Sequence, residues 1–216
     1  MPKKVDEPKG LLLATMEPPP AMEEEFQEWY DTEHFPEREG CEGFETAARF
    51  ICIDGWPRYL AAYDLTTPGV LDGPAYAAIA GARYSRWTHR IMGKVWGQYR
   101  AAGHQIYPGN ALLGDQGGYS RLVVWRFRQV PQALEAVVVK GMRKLYEGHP
   151  EVAQVRVFRS PQADGTDCLG LVEVRGAGPT ATADIAVFGA AASHVDTVNV
   201  YALYRRQNAG SFPTKR

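Results

Sequence analysis

The sequence predicts an α+β protein of two tandem lobes, each running strand, helix, strand, strand, helix, strand. Three observations lead there. Apolar residues switch between the two-residue period of strands and the helical period in that order, and the order occurs twice. A connector at residues 108–118, with four glycines and a proline, separates the two passes. Charge divides at the same place: residues 1–108 carry 11 basic and 16 acidic side chains against 13 and 9 in residues 109–216. Net charges of -5 and +4 suit two units that face each other electrostatically. The expected division is therefore a first lobe at 9–107 that holds the site, the connector at 108–118, and a second lobe at 119–205.

In the first lobe, residues 10–16 form an apolar run that reads as a buried strand and stops at Pro18, Pro19 and Pro20. Met22, Phe26, Trp29 and Tyr30 then recur at helical spacing, with Glu23, Glu24, Glu25 and Glu28 on the opposite face and at the positive helix end. Pro36 and Gly40 are expected to end this helix. Residues 44–53 and 59–65 read as strands joined by a turn through Asp54, Gly55, Trp56 and Pro57. A helix over 74–94, carrying Tyr76, Ala80, Tyr84, Trp87 and Ile91 on one side, leads to a fourth strand at 98–107.

The second lobe repeats the order: a strand at 119–127, a helix at 131–147 with an aliphatic stripe, strands at 152–159 and 167–174, a short Ala-rich helix at 182–192, and a final strand at 195–204. This βαββαβ order is the ferredoxin-like arrangement, in which helices cover one face of a four-stranded antiparallel sheet and leave the other to be buried. Packing sheet against sheet, within one chain or between two copies in a homodimer, covers it.

Composition narrows the function. With 24 basic and 25 acidic side chains there is no positive excess for a phosphate backbone, so neither nucleic acid nor a membrane surface is an expected partner. Apolar runs fall far short of the roughly 20 residues of a bilayer span, and the N-terminus lacks a signal-like stretch, which suits the cytoplasm. Cys41, Cys52 and Cys168 match no disulfide framework or C-x-x-C motif. His34 and Glu37 have H-x-x-E spacing, but Pro36 lies between them, so no metal is expected. The sequence has no G-x-S-x-G elbow and no H-E-x-x-H, and its glycines match neither a phosphate loop nor a dinucleotide fingerprint. No cofactor is expected.

The two first helices differ in an informative way. The second lobe's stripe is aliphatic throughout, whereas the first lobe's runs into Trp29, Tyr30, Glu33 and His34. Tyr30 and His34 are four residues apart and share a face, as do Trp29 and Glu33. An imidazole beside a phenol and a carboxylate can move protons near neutral pH. Arg49, Arg90 and Arg100 lie on or beside core elements, where a guanidinium can clamp a carboxylate. His89 offers a second acid or base, Trp87 a wall for a flat ligand, and Asn199 reaches toward a pocket shared between lobes.

The run Glu24-Glu25-Phe26-Gln27-Glu28-Trp29-Tyr30-Asp31-Thr32-Glu33-His34-Phe35-Pro36-Glu37 resembles the W-Y-x-x-E-H-x-P segment of dimeric α+β barrel proteins, particularly their EthD-like branch. Gly43-Phe44 with Ala48-Arg49-Phe50, the stretch from Pro57 to Leu65, the stretch from Leu71 to Tyr76, and Trp87-Thr88-His89-Arg90 extend the resemblance over about residues 9–107. The second half lacks the W-Y-x-x-E-H run. The resemblance implies a barrel closed by two ferredoxin-like sheets and small-molecule chemistry, often without metal or organic cofactor. Its relatives include isomerases, polyketide cyclases, cofactor-free monooxygenases, and ester hydrolases or isomerases of lignin-derived ring-cleavage products.

The leading expectation is a cofactor-independent hydrolase or isomerase acting on an unsaturated, carboxylated intermediate of aromatic catabolism. His34 transfers protons, Tyr30 orients it or holds an oxyanion, and an arginine holds the carboxylate; Trp29, Glu33, Trp87, His89 and Asn199 complete the expected substrate contacts. The second expectation is a cofactor-free monooxygenase or cyclase on a phenolic substrate. The third is a ligand-binding protein without turnover.

Overall fold

The computed structural model describes residues 7–115, 117–178 and 184–204. Eight strands are formed among them: β1 (Gly10–Glu17), β2 (Phe44–Asp54), β3 (Tyr59–Leu65), β4 (Trp96–Tyr107), β5 (Arg121–Phe127), β6 (Val152–Gln162), β7 (Gly165–Val174) and β8 (Val195–Leu203). They close into one antiparallel barrel in the order β1-β3-β2-β8-β5-β7-β6-β4. Within it, β4-β1-β3-β2 and β8-β5-β7-β6 are two ferredoxin-like sheets, each with its first and third strands paired at the centre. Two seams join them, β2 to β8 (Phe50 opposite Leu203) and β4 to β6 (His104 opposite Arg159). One chain therefore closes the barrel, and a second copy is not needed to complete it.

Strand alternation sorts the side chains. Leu11, Leu13, Phe50, Leu60, Phe158, Leu171 and Tyr201 fill the barrel interior. On the outer face of the first sheet, Leu12, Met16, Tyr59, Ala61, Tyr63 and Leu65 meet the helices. The second half packs its own outer face solidly: Trp125, Phe127, Met142 and Phe188 fill the space under the helix Gln132–Tyr146.

One barrel end is polar. Buried Arg156 pairs with Asp64 at 2.6 Å and with Glu173 at 3.4 Å, while the backbone N–H groups of Leu113 and Gly114 donate to Asp64 (2.5 Å) and Glu173 (3.0 Å). The connector is thus pinned across the barrel end by the same buried carboxylates that Arg156 partners.

The first helix follows the expected apolar stripe but not its expected end. α1 (Glu23–Trp29) passes into a π-helical turn at Tyr30–His34 and then α2 (Phe35–Glu39), which contains Pro36. Proline within an α-helix clashes with the carbonyl four residues back. Widening to the i→i+5 bond, Phe35 N–H to Tyr30 C=O, lets the helix run past it to Gly40.

The expected helix over 74–94 is broken. α3 (Pro74–Ala77) stops early, a 3-10 turn spans Gly81–Arg83, and α4 (Arg86–Met92) restarts under the cap of Ser85, whose Oγ accepts from Thr88 N–H at 2.9 Å. Gly81 adopts φ 58°, a left-handed conformation that no helix interior contains. The Ala-rich segment is a 3-10 stretch, Ile185–His194, rather than an α-helix, kinked at Gly189 with φ 49°. Positions 182–183 of that expectation and position 205 of the second lobe lie outside the described residues. No helix among the described residues is long and apolar enough to cross a membrane.

Candidate active site

Between the outer face of the first sheet and the α1–α2 and α3–α4 segments lies a cavity of about 180 Å³. Its sheet side is made by small or flexible residues. Ala14 on β1 is flanked by Ala61 on β3 and Arg100 on β4, with Leu12 and Met16 on either side along the strand. Alanines there leave space that larger side chains fill elsewhere.

The π-helical turn places Tyr30 and His34 over this floor. Both are buried, and both line the cavity. The His34 ring centroid lies 4.2 Å from that of Trp29, 5.2 Å from Tyr30 and 6.4 Å from Tyr84, and its Nδ1 has no hydrogen-bond partner. Burial, reinforced by the nearby guanidinium groups of Arg38 and Arg49, pushes its pKa down to about 2. The ring is therefore neutral at physiological pH, not poised near 7.

Arg38 is buried at the same wall. It donates to the His34 carbonyl (3.3 Å) and to the Ile79 carbonyl (3.3 Å), pairs with Glu37 at 2.9 Å, and stands 5.8 Å from the Tyr84 ring centroid. Tyr63, Tyr76 and Tyr99 complete a set of five phenols with Tyr30 and Tyr84. Burial raises the pKa of Tyr30, opposed by Arg49 and Arg38, and raises that of Tyr63 further. The Tyr63 hydroxyl has no hydrogen bond of good geometry, although the Tyr30 phenol is near enough to influence its ionisation. Among the described residues the lining contains phenols, two cations and a neutral imidazole, and no carboxylate.

The remaining expected residues divide. Trp29 and Glu33 meet as their spacing predicts, but on Thr88 rather than in the cavity: Trp29 Nε1 donates to Thr88 Oγ1 at 3.0 Å, and Thr88 Oγ1 donates to Glu33 at 3.0 Å. They tie the π-helical turn to α4. Arg49 lies behind Tyr30, paired with Asp31 and Gln27, with its guanidinium 4.2 Å from the Tyr30 ring and 4.4 Å from the Tyr204 ring. Arg100 lines the cavity. Trp87 packs at the edge of the helix-facing core. His89 and Arg90 are exposed on α4, the latter paired with Glu25. Asn199 is on the barrel's inner side, bonded to the Trp56 carbonyl (2.8 Å) and Tyr201 (3.1 Å). Arg38, Tyr63, Tyr76 and Tyr84 were not among the expected site residues.

No protein-family model and no curated protein matches the sequence. Solved structures match over nearly the whole chain. An "anthrone oxidase-like protein" is similar with a TM-score of 0.67 at 13% identity, covering 96% of this chain and 95% of that one. A "putative monooxygenase" of Lactobacillus acidophilus scores 0.52 at 10% identity over 92% and 94%. Another from Fusobacterium nucleatum scores 0.52 at 10% over 97% and 99%. The fold is thus the dimeric α+β barrel, here closed within one chain.

The expectation of ester hydrolysis or double-bond isomerisation is corrected by these likenesses, whose names are an oxidase and monooxygenases.

Proposed function

We propose that this protein is an oxygenase that oxidises a small phenolic or enolisable ring compound in the Tyr30–His34 cavity. The observation that supports it is the neutral, unpartnered imidazole of His34 set beside the Arg38 cation in a buried, phenol-lined space. A substrate hydroxyl can donate to His34. As its proton moves to the ring, negative charge spreads over the substrate beside Arg38. Opposite charges in contact favour each other, so the terms that disfavour imidazolium in the empty cavity are offset once the anion forms.

The ring anion is electron-rich enough to reduce oxygen directly. For an activated methylene becoming a carbonyl, two C–H bonds and the O–O bond break. One oxygen atom forms the C=O bond, and the other leaves as water with both hydrogens. All four electrons come from the substrate, so no external reductant enters. Tyr30 and Tyr63, kept protonated by burial, can donate hydrogen bonds to reduced oxygen or to the ring oxygen.

The test is oxygen uptake with anthrone and with hydroxynaphthalenes, followed by ¹⁸O₂ labelling. One labelled oxygen atom in the product and one in water are expected, at a rate well above autoxidation. Uptake no faster than the buffer control across the panel would refute the assignment.

A further inference from the structure

We infer that the substrate of this cavity carries an acidic group, and that Arg100 binds it at the cavity mouth. The inference rests on the phenolic reading of the site and adds the second recognition element. The cavity's deep wall is buried, at Tyr30, His34, Arg38, Tyr63 and Tyr76, whereas Gln98 and Arg100 on β4 are the exposed lining residues, so the opening is there.

Arg100 is also electrostatically uncommitted. Arg38, Arg49, Arg58 and Arg90 in the same half each have a carboxylate partner. Among the described residues the Arg100 guanidinium has no ion pair, and its one side-chain hydrogen bond is a long one to Tyr76 Oη at 3.4 Å. Alanine at position 14, directly across on β1, leaves the space beside it open. Among the described residues no carboxylate of the lining competes for that guanidinium.

A planar fork of N–H donors presented this way matches a carboxylate held by two parallel bonds. A ring placing its hydroxyl toward His34 then directs an acid substituent at its opposite end to Arg100. Tyr76, bonded to Arg100 and lining the same space, holds the guanidinium over the opening. The ligand class is thus a hydroxylated aromatic acid rather than a neutral phenol.

Anaerobic calorimetric titration of 6-hydroxy-2-naphthoate against 2-naphthol tests this without turnover, so an absence of oxygen uptake in air leaves the binding result independent. The acid is expected to bind at least about tenfold more tightly, with the preference weakening as salt rises. Arg100→Gln, at an exposed position, should reduce that preference to under about threefold. Equal affinity of the two compounds for the wild type, a preference that survives in Arg100→Gln, or binding of neither compound would each overturn the inference.

Discussion

The imidazole of His34 lies against the indole of Trp29, ring centroids 4.2 Å apart and planes 34° from parallel. The indole N–H is turned away, donating to Thr88, so Trp29 offers His34 only its apolar face. That contact removes water from one side of the imidazole and is part of why the ring stays neutral.

If the neutral ring accepts the substrate proton, His34→Ala should lower kcat for oxygen uptake on the order of 10² to 10⁴-fold, the usual contribution of general acid–base catalysis. Tyr30→Phe should cost less, because it removes one hydrogen bond and keeps the ring packed on Phe26 and Trp29. Measuring Tm beside kcat separates chemistry from packing. A His34→Ala enzyme that is destabilised yet fully active contradicts the assignment.

The depressed pKa of His34 makes a prediction about acid stability. Its folded value of about 2 lies below the ordinary 6.5, so the unfolded chain takes up the proton first on acidification. The stability contributed by the neutral ring is complete above about pH 6.5 and is lost progressively as pH falls toward 2. His34→Gln should therefore show a shallower decline of Tm between pH 7 and 4 than the wild type. Parallel curves are the adverse result.

Thr88 accepts from Trp29 and donates to Glu33, so Thr88→Val leaves a buried indole N–H without a partner. A loss of about 1–3 kcal/mol is expected in urea unfolding. A larger fall in kcat than in Glu33→Gln would show that the tie to α4 also positions the π-helical turn.

At the polar barrel end, Arg156→Met leaves Asp64 and Glu173 buried side by side without their cation. Removing one member of such a group costs about 3–5 kcal/mol, read from the urea midpoint. Replacing all three with apolar residues of similar volume should recover much of that loss.

Much of this was legible because the signals were local. Strand alternation and the repeated βαββαβ order predict both sheets, and four-residue spacing brings Tyr30 to His34 and Trp29 to Glu33. Arg38 stands at the same spacing from His34, and it is missed only because Pro36 reads as a helix end; the π-helical turn that accommodates proline is not visible in a period of 3.6. Tyr63, Tyr76 and Tyr84 reach the cavity from β3, α3 and the segment before α4. Their convergence depends on tertiary packing and on the break at Gly81, which the apolar stripe of residues 74–94 conceals. Arg90 and His89 show the reverse: side chains on a helix resembling a functional segment that face solvent.

Closure of the barrel within one chain also removes a symmetry constraint. In a barrel made of two identical chains, any residue that opens a cavity under one first helix opens it under the other, so sites come in pairs and each substitution is felt twice. A covalent tandem is free of that rule. Its first half keeps hollow space over Ala14, while the second fills the corresponding region with Trp125, Met142 and Phe188. The Tyr30–His34 cavity thus sits on one half while the other stays solidly packed, and the second half contributes Tyr204, just past β8, against Arg49 behind the cavity wall.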